Sequence, residues 1–264
     1  MAAVMERPIE TGWLADTPVG DTVLRRFVHN QADHNDAMAV AHGGRVERSD
    51  AVFLADSGCP VPYLNQAILA RPVLSPDDPV LHVVEGFFEG RSGVTLLSIW
   101  PTPDLSGRGW SLAGHPALVA RAPGPVSATP AAGVGIRRAE TAADFEAGEH
   151  VAIEGYPIES AVGAPPGSVL PATLVGGPIA VRLGLLDGAA VGIGNVFVGH
   201  GVVNLALGAT LPAARRRGVW EALVWARVSE DPTLPAVAYT SDYSRPGFLR
   251  MGFLPLTRFT LWFR

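Results

Sequence analysis

The chain has 264 residues, of which 48% are hydrophobic and 17% charged, enough for one large domain or two compact ones with a full core. Its formal charge of −5 offers no basic footprint for nucleic acid, and no run of about 18 apolar residues exists to span a membrane. All 20 Lys/Arg positions are Arg, which excludes lysine Schiff bases and P-loops, and the single Cys59 excludes an internal disulfide or a multi-cysteine zinc site.

Residues 1–16 carry Glu6, Glu10 and Asp16 and lack the apolar centre of a signal peptide, so a soluble, cytoplasmic protein is expected. Hydrophobic periodicity then predicts a helix over 22–41, strands near 51–55 and 65–70, a helix near 79–88 and a strand over 94–100. No glycine-rich phosphate turn interrupts this half. Residues 122–133 read APGPVSATPAAG, and three prolines, two glycines and no charge mark a linker. It divides the chain into expected domains over 1–121 and 134–264.

Beyond the linker, a strand over 134–138 precedes a helix over 141–153, with Thr141 as N-cap and Asp144 at the capping-box position. Strands over 179–186 and 189–198 are joined by Asp187-Gly188, and His200 turns the chain into a strand over 202–210. A helix over 214–230 is stopped by Pro232. A strand over 237–241, a short helix over 246–251 and a last strand over 257–264 follow. The order predicts a mixed α/β fold, a mixed sheet with flanking helices.

Each half ends alike. Gly109-Trp110 and Gly252-Phe253 are each followed by a Leu nine positions after the Gly (Leu118, Leu261) and an Arg three further on (Arg121, Arg264). The placement of the match points to duplication.

The segment 208–223 breaks local rules. An apolar strand runs through Thr210, Leu211 and Pro212 into an expected helix whose start holds Arg215, Arg216, Arg217 and Gly218, then Val219 and Trp220. Cations at a helix N-terminus oppose its dipole, and an anion would compensate them; an Arg-rich solvated turn is the plainer alternative. The segment resembles the acetyl-CoA-binding motif of the GNAT N-acetyltransferase superfamily, Arg/Gln-x-x-Gly-x-Gly/Ala. Residues 241–253, ending Phe248-Leu249-Arg250-Met251-Gly252-Phe253, resemble that family's second motif, Tyr-x-x-x-Gly-Phe. The resemblance covers 134–264 and implies tandem GNAT-like domains, the first degenerate. It implies that acetyl-CoA is the cosubstrate, held by main-chain N–H groups of 216–220 and by Thr210 and Leu211, with Arg215, Arg217 and Ser241 beside it. A small-molecule or peptide amine would be the acceptor, with no metal. A GNAT-like module that binds acyl-CoA or a protein partner without catalysis is the alternative.

Two departures bear on chemistry. Trp220 stands where the family has Gly or Ala, and Phe248 where it has a Tyr that protonates the thiolate. Tyr243 is the expected substitute acid and Glu154 a candidate base, with Glu159 and the C-terminal carboxylate behind it; Asn204 could only orient a water. His29, Asp33 and His34 have the look of a metal cluster but are expected to be a solvated helix face. Cys59 is expected to be a loop thiol. Gly192-Ile193-Gly194 lies within a strand and is no dinucleotide fingerprint.

Overall fold

The structure, a computed structural model, describes residues 22–126, 128–156 and 158–264; residues 1–16, read above for a signal peptide, lie outside them. The first half runs α1 (Val23–Ala41), β1 (Arg45–Arg48), β2 (Val52–Asp56), a 3-10 turn (Pro62–Leu64), β3 (Asn65–Leu69), α2 (Pro79–Phe87), β4 (Thr95–Ser98), β5 (Ser111–Gly114) and β6 (Ala117–Arg121). The second runs β7 (Val134–Arg138), α3 (Ala142–Gly155), β8 (Ile179–Leu186), β9 (Ala189–Gly199), β10 (Val202–Asn204), β11 (Gly208–Thr210) and α4 (Val219–Val228). It ends with β12 (Ala236–Thr240), α5 (Arg245–Arg250), β13 (Leu254–Arg258) and β14 (Thr260–Phe263).

These strands form two mixed sheets, in the orders β1-β2-β3-β4-β14-β5 and β7-β8-β9-β10-β12-β6-β13. The orders superimpose, direction by direction, once β7 is set aside: two antiparallel steps, one parallel step (β3/β4 and β10/β12), then two antiparallel steps. Each sheet takes one strand from the other half. β6 lies between β12 and β13, and β14 lies between β4 and β5. The linker therefore separates the chain but not the sheets.

The two crossings meet. Phe259 N–H donates to the Pro116 carbonyl (2.9 Å), and the Arg258 guanidinium donates to the His115 carbonyl (2.5 Å). Leu118 and Leu261, the matched leucines of the repeat, share one core with Phe27 and Val28 of α1, Ile68, Leu97, Val202, Val237 and Phe259. α1 thus lies between the sheets and is buried on several sides, including Asn30, His34 and Asn35. Its first turn is capped by the Thr22 hydroxyl, which accepts from Arg25 N–H at 3.0 Å.

Several expected elements are redrawn. The strand expected over 202–210 is broken at Leu207 (φ 33°), where Asn195 N–H is shared by the Ala206 and Leu207 carbonyls. The helix expected from 214 begins only at Val219, because Arg216 (φ 61°) and Gly218 (φ 83°) are left-handed and cannot continue a right-handed helix. The last expected strand divides at Phe259 between two sheets. The capping box of α3 forms as expected, with Asp144 Oδ2 accepting from Thr141 N–H (3.1 Å) and Thr141 Oγ1 from Asp144 N–H (3.2 Å).

Candidate functional site

β10 and β12 run parallel only through Val203↔Ala236 and Asn204↔Val237, and a last bond joins Leu205 N–H to the Val237 carbonyl (2.9 Å). β11 then pairs with β9 alone, and Leu211 N–H donates to Val191 O (2.9 Å). By strand alternation, the main-chain groups of Gly208 and Thr210 face away from β9, into the gap beside β12. The sheet is open at this splay.

Arg227 of α4 braces the break. Its side chain is fully buried, and it donates to the carbonyls of Leu223 (3.1 Å), Asn195 (3.3 Å), Ala206 (3.1 Å) and Leu207 (3.3 Å). No carboxylate is among these partners, and burial pulls its pKa down to about 10. A Cβ on Gly194 would lie 2.7 Å from this guanidinium, while Cβ atoms on Gly184 and Gly192 would lie 2.6 and 2.7 Å from Val219. The glycines of 184–194 let α4 settle on the sheet; they are packing surfaces, not a nucleotide turn.

The turn over 211–218 separates its three arginines. Arg215 is a staple: its Nε donates to Thr210 O (3.3 Å) and its NH2 to Gly155 O (3.0 Å) at the C-terminus of α3. Arg216 and Arg217 are exposed, and Asp187 stands 3.9 Å from Arg217. The main-chain N–H groups of Arg216, Arg217, Gly218, Val219 and Trp220 meet no acceptor among the described residues. They form the donor set an anion needs, with the α4 dipole behind them. Gly218 has a left-handed backbone, and a Cβ there would lie 2.9 Å from Ala131 Cβ of the linker.

The remaining expected binding residues divide. Val219 is core, Leu211 half-buried, and Thr210 buried with an unpartnered hydroxyl. Ser241 is exposed, and its hydroxyl accepts from Ser244 N–H (3.2 Å) ahead of α5. Trp220 packs on α5, its ring 5.0 Å from and edge-on to Phe248; a Cβ on Gly247 would lie 2.7 Å from it. Phe248 is 5% exposed and also meets Phe253, so the position of the family's Tyr is core here.

The expected acid and base are both on the surface. Tyr243 is 85% exposed on the loop after β12, and Glu154 is exposed in the last turn of α3. Glu149, one turn earlier, is buried and accepts from Gly167 (2.5 Å), Val169 (2.6 Å) and Leu170 (3.3 Å), pinning the following loop. Asn204 is fully buried at the last rung before the splay. Its Nδ2 donates to Gln31 Oε1 (3.0 Å), and Gln31, Asn35, Gln66 and Thr95 continue a line of hydrogen bonds to the first sheet. Asn204 Oδ1 has no partner among the described residues.

Tyr239, Tyr63 and Tyr156, which sequence reasoning missed, gather over the same place. Tyr239 follows Val237 on the α1 face of β12; Tyr156 caps α3; Tyr63 comes from the 3-10 turn of the first half, its ring 6.4 Å from that of Tyr156. Alternation along β12 could have drawn attention to Tyr239. Nothing local to Tyr63 could, because the two halves bring it there.

Among the described residues, the first half has no such opening. β3 and β4 stay paired through Gln66↔Thr95, Ala67↔Leu96 and Ile68↔Leu97. α2 starts behind Asp78, whose carboxylate accepts from Val80 N–H (3.0 Å) and is gripped by Arg71 at 2.6 and 2.8 Å. A carboxylate already fills that helix start. Elsewhere, Asp33 is taken by Arg48 (2.5 Å) and His200 (2.7 Å), while His34 turns inward to Asn35. Cys59 is buried, and desolvation pushes its thiol up to about 11.

The fold that carries this splay and donor turn has counterparts among solved structures. A GCN5-related N-acetyltransferase from Kribbella flavida matches 88% of this chain and 94% of its own, at 22% identity and a TM-score of 0.58. The chain has the fold of the GCN5-related N-acetyltransferases. A GNAT-family structure from Novosphingobium aromaticivorans matches 90% of this chain and 98% of its own (13% identity, TM-score 0.56). A GCN5-related N-acetyltransferase from Sphaerobacter thermophilus matches 88% and 90% (14% identity, TM-score 0.50). No protein-family model matches the sequence, and no curated protein does. Among the described residues, no group of three His, Cys, Asp or Glu could hold a metal ion, and no helix is long and apolar enough to cross a membrane.

Proposed function

We propose that the chain is an N-acyltransferase that moves an acetyl group from acetyl-CoA to a small-molecule or peptide amine, with its site in the second half. The observation that carries this reading is the run of unpartnered main-chain N–H groups over 216–220 beside the β11/β12 splay. The turn fits a pyrophosphate: it brings five N–H donors and a helix N-terminus together, with the exposed Arg216 and Arg217 in the same segment. Extended thiol-bearing chains pair with strand edges, and Gly208 with the Thr210 N–H presents such an edge in the gap. The protein's task is then to align an amine with the thioester, since a thiolate with a pKa near 8.5 leaves with little help. An alkylammonium near pKa 10.4 must shed its proton first, so turnover should rise with pH toward about 9.

Calorimetry with acetyl-CoA tests the reading. One molecule should bind per chain, because the first half has no splay and a carboxylate at its helix start. Two per chain, or none, would refute it. A binding module without catalysis is favoured by one observation, the Trp220–Phe248 contact that fills the space between α4 and α5. CoA binding without thiol release across a panel of aryl and alkyl amines would establish that alternative.

A further inference from the structure

We propose that the Tyr239 hydroxyl is a catalytic hydrogen-bond donor to the acyl carbonyl oxygen of the bound thioester, the role of an oxyanion hole. The inference rests on the acyltransferase reading above. Four observations place the hydroxyl. Tyr239 is two residues beyond the last rung joining β12 to β10, on the edge that β11 has left. Its other edge is occupied, since it pairs with Leu118 of β6. Its ring lies 5.4 Å from Phe259, and it interacts electrostatically with Tyr156 and Tyr63. Tyr156 follows Gly155, on which a Cβ would stand 3.1–3.2 Å from the main chain of Thr210. The hydroxyl therefore lies between β12 and the end of α3 that rests on β11, across the mouth of the splay.

The hydroxyl is also an orphan. It is shielded from solvent and has no hydrogen-bond partner among the described residues, and Asn204 Oδ1, on the same face at the last rung, meets no donor among them. Buried polar groups are nearly always paired, so one left unpaired at a strand gap needs a partner that a bound ligand can supply. The pair is complementary to the reaction. Tyr239 O–H supplies a donor for a carbonyl oxygen; Asn204 Oδ1 supplies an acceptor for an amine N–H.

Burial, with Tyr63 and Tyr156 close by, raises the Tyr239 pKa well above the ordinary phenol value. A phenol that holds its proton so tightly is a poor acid for a thiolate but a good fixed dipole. The amine lone pair attacks the carbonyl carbon and forms the C–N bond, while the C=O π pair moves onto the oxygen facing Tyr239. The pair returns as the C–S bond breaks and the sulfur leaves with its electrons. The nitrogen's proton passes to the thiolate through water. Tyr239 keeps its proton throughout.

The test needs no known acceptor. Carbonyl-labelled [1-13C]acetyl-CoA is bound to wild type and to Tyr239→Phe, and its isotope-shifted C=O stretch is read by infrared difference spectroscopy. Wild type should move the band to lower wavenumber, and Tyr239→Phe should not. Calorimetry should give the same affinity of the two proteins for CoA, and Tyr239→Phe should have an equal or higher Tm because it loses an unsatisfied hydroxyl. With any amine that wild type accepts, kcat should fall about 10²–10³-fold with KM for acetyl-CoA little changed. An unchanged band shift in Tyr239→Phe overturns the proposal. A lowered Tm with weakened CoA binding also overturns it, by assigning the hydroxyl a structural role. Failure of wild type to bind acetyl-CoA would instead remove the acyltransferase reading on which the proposal stands.

Discussion

Phe248 sits against Trp220 and Phe253, so a hydroxyl introduced by Phe248→Tyr would enter an aromatic cluster rather than the splay. An unsatisfied buried hydroxyl costs about 1–3 kcal/mol. Phe248→Tyr should therefore lower stability in thermal or urea melts by about that much and add no turnover, although it restores the family's residue. A gain in CoA release at unchanged Tm would show that the ring can turn out. Asp144, in the first turn of α3, responds to pH. The Glu140 N–H foremost, together with Arg137 and Thr141, holds its carboxyl down to about 2 from the usual 3.8. A depressed carboxylate pKa contributes stability that is present above about pH 4 and lost as pH falls toward 2. Asp144→Asn should cost about 1 kcal/mol in urea unfolding at pH 6, and the gap from wild type should close near pH 2.

At the scale of the element, the donor turn and the helix behind it part company in their chemistry. Arg215 is tied to Thr210 and Gly155, so Arg215→Ala should loosen the join of β11 to α3 and lower stability. Arg216 and Arg217 make no such ties. Arg216→Glu with Arg217→Glu should leave Tm within a degree or two yet weaken CoA binding at least about tenfold, since a charge-assisted contact contributes about 1.5–3 kcal/mol. Calorimetry at two salt concentrations checks it: the residual affinity should also be less salt-dependent than that of wild type. Gly218→Val is the poorer probe, because its left-handed backbone and the nearby Ala131 would strain the fold as well as the site.

For the whole molecule, the exchanged strands couple two halves that composition would let stand alone. β14 is the last strand in the chain but an interior strand of the first sheet, bonded to both β4 and β5. Removing residues 260–264 should thus expose the edges of β4 and β5, some 150 residues upstream in sequence. Hydrogen exchange should show protection lost first at 95–98 and 111–114, with 189–204 protected longer. Fragments divided within the linker should be unfolded by circular dichroism when alone and recover structure when mixed, because each holds a strand the other's sheet requires. Independent folding of 134–264 would contradict this.

Much of the fold was legible because it is local. Apolar periodicity marks α1, α2, β8 and β9; Thr141 with Asp144 announces α3; Asp187-Gly188 and His200 announce hairpins; and the repeated Gly-aromatic-Leu-Arg ending marks equivalent places in the two halves. The Arg-rich turn, too, was visible as a local rule broken. What sequence could not decide depends on contacts across the molecule. Whether a strand stays beside its neighbour or crosses to the other sheet leaves its residue pattern unchanged, since Leu118 and Leu261 are buried in either case. Arg215 and Arg217 look alike in sequence, and only the position of Gly155 makes one a staple. The residues over the splay come from 3-10 turn, helix end and strand, 63, 156 and 239 in number. Their meeting is set by how two sheets share α1 and exchange their last strands, which no periodicity within either half encodes.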